Sequence, residues 1–174
     1  MNTEEALEFI RNRRSIRSYK PDMVPDDVIE KIIEAGTYAA TGMGRQSPII
    51  IAVKDKFTRD RLSDLNAKII GADIDPFYGA PVVLIVLADR SSPTYIYDGS
   101  LVMGNLMLAA HAYGLGSCWI HRAKEEFERS EGKEILRELG IQGDYEGIGH
   151  CILGYVEGDY PEAKPRKDGW SYVI

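Results

Sequence analysis

Cysteine is scarce in this chain: among 174 residues only Cys118 and Cys151 are present. Two thiols exclude a disulfide-rich scaffold and fit a reducing compartment. The Cys118–His121 spacing and the adjacent pair His150–Cys151 do not supply the three or four convergent ligands that zinc needs. Neither cysteine stands in a recognised nucleophile motif. Since both lie in apolar stretches, we expect buried thiols and no metal site.

Long apolar runs are also missing. The longest stretch without a charged residue, Gly99 to Ile120, is interrupted by glycines and polar residues. None of it approaches the ~18 consecutive apolar residues of a membrane-spanning helix. The opening residues MNTEEALEFIRNRR have no apolar core or cleavage site, so we expect no secretory signal. These observations predict a cytoplasmic protein.

Net positive charge is absent. The chain has 27 acidic and 21 basic residues, a formal net charge of −6, whereas nucleic-acid-binding domains are typically basic. Apolar residues make up 44% of the chain and charged residues 28%, which is ordinary for a globular protein and argues against a disordered one. The length and the lack of repeats or linkers predict one domain.

Apolar periodicity predicts helices in the first part of the chain and strands alternating with helices after it. The predicted helices cover residues 3–13, 57–66, 101–113 and 124–139, with another beginning at Pro25. The predicted strands cover residues 49–53, 81–87, 117–120 and 148–156, and residues 157–174 form a tail. This order indicates an α+β or α/β domain.

The predicted helix 101–113 is apolar on nearly every side. Such a helix must be covered all round. It is either an ordinary core helix of one subunit, or its outer side is buried against a second subunit.

Basic residues are concentrated in two distant segments. Residues 11–20 hold five basic residues and no acid, and Lys164, Arg166 and Lys167 lie within four positions of the tail. Arginine guanidinium groups and the Ser15 hydroxyl suit phosphate oxygens. The two segments are therefore either one anion site built from both chain ends or a solvated basic end of the first helix.

Familiar nucleotide-binding motifs are missing. The chain has no GxxxxGK[ST] loop, and both Gly42-Met43-Gly44 and Gly114-Leu115-Gly116 precede a predicted strand. A dinucleotide fingerprint requires the opposite order, with the strand first. A phosphate bound by this chain would therefore be held in another way.

Five segments, taken in order, resemble the FMN-dependent nitroreductase family. They are Arg13-Arg14-Ser15-Ile16-Arg17 followed by Tyr19; the loop from Ala39 to Pro48 running into Ile49-Ile50-Ile51-Ala52-Val53; Gly79-Ala80-Pro81; Gly114 to Ile120; and Lys164-Pro165-Arg166-Lys167. Each motif alone is weak, but their common order along nearly the whole chain is specific.

The resemblance implies one FMN-binding domain over residues 1–174, with residues 157–174 as its extended tail. The implied fold is α+β, with a central mixed, largely antiparallel sheet flanked by helices, in an intertwined homodimer. Two FMN sites would lie at the subunit interface. The implied activity is an oxidoreductase that takes electrons from NADH or NADPH and passes them through flavin N5 to nitroaromatics, quinones or similar acceptors by a ping-pong mechanism.

The resemblance also implies the cofactor-binding residues, and no side chain is assigned as catalytic. One subunit would hold FMN through Arg13, Arg14, Ser15 and Arg17, with Lys164 and Arg166 at the phosphate. Asn66 would face the polar edge of the ring, and Trp119, Ile120 and His121 would lie along it. Thr41, Gly42, Met43 and Gln46 would come from the partner chain. On this interpretation the two basic segments form one phosphate site.

Some residues depart from the family pattern. Many members carry Asn-x-Gln-Pro-Trp where this chain has Gly44-Arg45-Gln46-Ser47-Pro48, and position 121 is His here but often acidic or small elsewhere. The chain is also shorter than many members, which predicts an open flavin face. Two other hypotheses are a flavin-binding or redox-sensing module without efficient turnover and a dimeric interaction protein that binds another anion.

Overall fold

The computed structural model describes residues 2–174 and contains one four-stranded sheet. The strands lie in the order β1-β2-β4-β3, and every neighbouring pair is antiparallel. Their bounds are β1 (Pro48–Val53), β2 (Val82–Asp89), β3 (Gly116–Ile120) and β4 (Tyr145–Gly154). Within residues 2–174 the only parallel pairing is an isolated bridge between Ser15 and Ser117. The prediction of an α+β fold with a largely antiparallel sheet is confirmed.

Six α-helices connect and cover the strands in the part of the chain that is described. They are α1 (Thr3–Asn12), α2 (Asp26–Thr37), α3 (Lys56–Ile70), α4 (Tyr95–Ala112), α5 (Ala123–Glu128) and α6 (Ser130–Glu138). A short 3₁₀ turn covers Gly42–Gly44. The first helix begins as its sequence predicts, because the Asn2 side chain accepts from the Glu5 backbone N–H while Glu5 bonds back to Asn2.

Strand β2 organises two hydrophobic layers, one on each face of the sheet. Residues Val82 to Leu87 are all fully buried, and alternate residues belong to different core clusters. One layer packs Val82, Leu84 and Val86 against residues of α2 and α4, and the other packs Val83, Ile85 and Leu87 against α3 and α5. Because side chains alternate across a strand, an uninterrupted apolar run is what a strand covered on both faces requires.

Three predicted helices differ from the structure, and one of them, predicted over 57–66, continues to Ile70. Helix α4 begins at Tyr95, six residues before the predicted start, and this extension contains the buried Asp98. The predicted helix 124–139 is two helices, because Arg129 adopts an extended conformation with φ −84° and ψ 164°. After this break the chain packs closely on itself: a Cβ at Gly132 would lie 2.4 Å from the carbonyl oxygen of Glu126.

Helix α4 is covered on one side only in a single chain. Val102, Met103 and Leu106 are buried in the core, whereas Leu101 is 51% exposed and Tyr97 is 72% exposed. The expectation of cover all round is therefore not met within one subunit. Across residues 2–174, no helix is both long enough and apolar enough to span a membrane.

Candidate functional site

A basic cavity lies between the end of α1 and the C-terminal tail. Its volume is about 930 Å³, and residues 10–17 form one side while residues 161–166 form the other. Its lining contains one acidic residue, Glu162, and these basic residues: Arg11, Arg13, Arg14, Arg17, Lys164 and Arg166. Two segments separated by most of the sequence thus meet in space, which favours one anion site over a solvated helix end.

Two guanidinium groups of this cavity carry nitrogens without a partner. Arg13 Nη1 and Arg14 Nε are buried and form no hydrogen bond in the structure. Arg14 is held by donating from Nη1 to the carbonyl oxygens of Arg11 at 2.6 Å and Arg13 at 2.9 Å. A buried donor left unpaired costs about 1–3 kcal/mol, and a phosphate oxygen is a strong acceptor for it. The chemistry of this donor set therefore fits a phosphate group such as that of FMN.

The segment after α1 is positioned by the edge strand β3. The Ile16 backbone N–H donates to the Ser117 carbonyl at 3.0 Å, and the Ile16 side chain is 2% exposed. A Cβ at Gly116 would lie 2.9 Å from the Ile16 side chain, so a residue without a side chain is needed there. Because Ile16 points inward, its neighbours Ser15 and Arg17 point toward the cavity, which both of them line.

The end of β3 rests on a buried polar cluster. Asn66 is fully buried, and its Nδ2 donates to the His121 carbonyl at 2.9 Å and to the Glu126 carboxylate. Glu126 Oε2 also lies 3.1 Å from His150 Nε2, and both of these residues are fully buried. Asn66 therefore holds the segment that carries His121. That it also faces the polar edge of a flavin stays a prediction.

Residues Trp119 to His121 differ in exposure. Trp119 is half-buried against the core, Ile120 is buried, and His121 is exposed. The next residue, Arg122, has a left-handed conformation with φ 78° and directly precedes α5. No residue of this segment lines the basic cavity.

The glycine loop before β1 lies apart from the basic cavity of its own chain. None of Thr41, Gly42, Met43 and Gln46 lines that cavity, and Met43 is 87% exposed. The loop closes on itself where the Gln46 backbone N–H donates to Thr41 Oγ1 at 3.1 Å. The structure of one chain therefore does not bring these four residues to the other predicted contacts.

Asp98 holds this loop and is not among the residues predicted from the sequence. The Asp98 side chain accepts from the Gly42 backbone N–H at 2.9 Å and from Ser47 Oγ at 2.8 Å. Thr94 Oγ1 donates to the same carboxylate at 3.1 Å. The available signal was one acidic residue beside an otherwise apolar helix, with a threonine four positions earlier.

Cys118 and Cys151 are free thiols and both are buried, as predicted. Burial raises the pKa of the Cys151 thiol far above its usual range, so this thiol is protonated and inert. Among residues 2–174, no group of three or more His, Cys, Asp or Glu side chains could hold a metal ion.

Fold and cavity together define an α+β domain with helices on both faces of an antiparallel sheet and a basic pocket flanked by its tail. A model of the nitroreductase family matches residues 10–73 and 72–155. A Bacillus subtilis protein named FMN reductase (NAD(P)H) is 33% identical over 185 residues, covering 93% of this chain and 70% of its own. An Archaeoglobus fulgidus protein, provisionally named NADH dehydrogenase/NAD(P)H nitroreductase, is 33% identical over 171 residues, covering 94% of this chain and 93% of its own.

Solved structures of nitroreductases have the same fold as this chain. A nitroreductase with bound FMN from Bacteroides fragilis superimposes with a TM-score of 0.89 and 27% identity, covering 99% of this chain and all of the other. A second FMN-bound nitroreductase, from Desulfitobacterium hafniense, has a TM-score of 0.86 and 26% identity. The chain belongs to the nitroreductase family, as its motifs predict.

Proposed function

We propose that this chain is an FMN-dependent oxidoreductase that takes electrons from NADH or NADPH. Its acceptors would be nitroaromatics, quinones or similar electron-poor compounds. The main structural support is that the two basic chain ends meet in one cavity. Buried nitrogens of Arg13 and Arg14 in this cavity have no hydrogen-bond partner among the described residues. Family membership and the two FMN-bound structural neighbours support it.

The phosphate of FMN would be bound by the cavity residues Arg13, Arg14, Ser15, Lys164 and Arg166. A cluster of basic side chains attracts anionic ligands and raises their association rate, even when the protein as a whole is acidic. The planar fork of arginine suits phosphate oxygens, and a lysine adds a compact charge without fixed orientation. The cavity would thus select a flavin that carries a phosphate.

The remaining predicted contacts would surround the flavin ring. When bound, FMN supplies the redox chemistry, accepting electrons from the nicotinamide and releasing them to the acceptor. Arg17 would bring positive charge to the polar edge of the ring, where it stabilises developing negative charge. Trp119, Ile120 and His121 would lie along the ring. Donor and acceptor would use the same open face in turn, which predicts ping-pong kinetics.

A homodimer would complete the site. Tyr97 and Leu101 form an exposed apolar face on the outer side of α4. A second subunit typically buries such a face. The loop residues Thr41, Gly42, Met43 and Gln46, which do not reach the cavity of their own chain, would contact the flavin of the partner. Asp98 would act indirectly, by holding that loop.

The proposed function is tested by the visible absorption spectrum of the purified protein under anaerobic conditions. We expect an oxidised-flavin spectrum that bleaches with NADH or NADPH and returns when a nitroaromatic or a quinone is added. A flavin spectrum that neither nucleotide bleaches would favour the flavin-binding module. A colourless protein that does not take up added FMN would contradict the proposal.

A further inference from the structure

The C-terminal tail is attached to the body of the protein at very few points. The Glu157 backbone N–H donates to the Ser18 carbonyl at 3.1 Å, next to a bridge between Tyr19 and Val156. Beyond this point, within residues 2–174, Tyr160 is the one tail residue that hydrogen-bonds outside the tail. Arg166 bonds only to the Lys164 carbonyl, inside the tail itself.

Tyr160 joins the tail to two other elements at the edge of the basic cavity. Its hydroxyl oxygen accepts from the Arg14 backbone N–H at 3.1 Å and lies 3.3 Å from His111 Nδ1. The His111 ring, near the end of α4, stacks on Phe9 of α1 with ring centroids 4.9 Å apart. Tyr160 thereby connects the segment that follows α1, the end of α4 and the tail through one hydroxyl group.

The chemistry of His111 suits this connection. Partial burial and the nearby charges of Arg13 and Arg14 hold the pKa of His111 below its usual range. The ring is therefore neutral at pH 7, so its Nδ1 can accept a hydrogen bond, whereas both nitrogens of an imidazolium are donors. Since the Tyr160 oxygen accepts from Arg14, its own hydrogen is free to be donated to His111.

Tyr160 is the attachment point nearest in sequence to the basic part of the tail. Pro161 and Pro165 restrict the backbone on both sides of Lys164, and residues 161–166 form one side of the cavity. Because the tail is attached at Tyr160, four residues before Lys164, it loses less conformational entropy when a ligand binds than a free tail would. The hydrogen bonds of this hydroxyl group therefore help to hold Lys164 and Arg166 in place before an anion binds.

We propose that Tyr160 is a positioning residue that fastens the C-terminal tail over the cavity, so that Lys164 and Arg166 face the phosphate of the bound flavin. This inference rests on the proposed function, because it takes the anion to be that phosphate. On this proposal, Tyr160 contributes to binding of the flavin phosphate and not to binding of the flavin ring.

The test compares FMN with riboflavin, which has the same ring and no phosphate. Apoprotein is titrated with each flavin, and quenching of flavin fluorescence gives both dissociation constants for the wild type, Tyr160→Phe and Tyr172→Phe. Tyr160→Phe keeps the aromatic ring and removes one hydroxyl. Tyr172→Phe makes the same change at a tail residue that is 86% exposed, and so serves as the matched control.

We expect the wild type to prefer FMN, and Tyr160→Phe to reduce that preference about three- to tenfold, as for the loss of one hydrogen bond. Riboflavin affinity should not change, and Tyr172→Phe should keep the wild-type preference. Without ligand, trypsin should cleave the tail after Arg166 faster in Tyr160→Phe than in the control.

The outcomes separate the two proposals. A wild type that binds FMN no better than riboflavin would contradict the phosphate site and the proposed function. A wild type that prefers FMN, with Tyr160→Phe equal to it in preference and in tail cleavage, would overturn only the role of Tyr160. Equal losses of both flavins in a folded Tyr160→Phe variant would assign this residue to general stability.

Discussion

The carboxylate of Asp98 is the most informative single group to perturb. It is 2% exposed and accepts hydrogen bonds from Gly42 at 2.9 Å, Ser47 at 2.8 Å and Thr94 at 3.1 Å. No ion pair compensates its charge within residues 2–174. Asp98→Asn keeps the size of the side chain and removes the charge, so it tests whether these three bonds hold the glycine loop.

The expected loss follows from the number of bonds. A hydrogen bond to a charged group contributes about 1.5–3 kcal/mol and a neutral one about 0.5–1.5 kcal/mol. Each of the three bonds should thus weaken by about 1 kcal/mol, and the amide nitrogen must also face hydroxyl groups that had been donors. We expect Asp98→Asn to lower the free energy of unfolding by about 3 kcal/mol at pH 7.

The pH dependence of this loss has a definite sign. Burial by itself raises the pKa of the Asp98 carboxyl, but the hydrogen bonds from Gly42, Ser47 and Thr94 outweigh it and hold the pKa below its usual range. A folded-state pKa below the unfolded value adds stability above about pH 4, and that stability is lost as the pH falls through the folded pKa. The difference between wild type and Asp98→Asn should therefore shrink below about pH 4.

Urea unfolding followed by circular dichroism, at one fixed protein concentration, measures this difference. Asp73→Asn is the matched control, because Asp73 is exposed and its side chain forms no hydrogen bond with any of residues 2–174. Asp98→Asn should also bind FMN more weakly if the loop contacts the flavin of the partner. Equal unfolding midpoints for Asp98→Asn and the wild type at pH 7 would refute the reasoning.

Three further changes test other parts of the account. A Cβ at Gly149 would lie 2.2 Å from the Trp119 indole nitrogen. Gly149→Ala should therefore lower the free energy of unfolding by about 1–3 kcal/mol and alter the spectrum of bound flavin. Unchanged thermal unfolding would argue against this contact. Leu101→Lys should give a monomer in sedimentation experiments, whereas Leu139→Lys, at a residue 56% exposed on another surface, should not; a dimeric Leu101→Lys protein would exclude α4 from the interface. Arg17→Ala should make the flavin midpoint potential more negative, because a nearby cation is lost, and an unchanged potential with flavin bound would remove Arg17 from that role.

The sequence predicts the core of the fold better than its edges. The strand predicted over 81–87 matches β2 because a fully buried strand must be apolar on both sides. Helix α4 was predicted too short because Tyr95 to Gly99 includes Asp98, whose burial depends on partners in a distant loop. The break at Arg129 is likewise set by the packing of Gly132 on α5, which periodicity within one helix does not reveal.

Charge patterning found the two basic segments but could not decide whether they meet. Their convergence depends on β3, which holds Ile16, and on the path of the tail. The contacts of Tyr160 with Arg14 and His111 join residues that are 146 and 49 positions apart. Single-chain motifs carry no signal for such pairs, so the structure was needed to find them.

The central claim is that both ends of the chain hold one phosphate. A double-mutant cycle tests it most directly, with FMN and riboflavin dissociation constants measured for wild type, Arg13→Ala, Lys164→Ala and the double variant. We expect the two substitutions to be non-additive for FMN by about 0.5–3 kcal/mol, the range for residues that share a partner, and without effect on riboflavin. Additive losses for FMN, or equal losses for both flavins, would contradict the account.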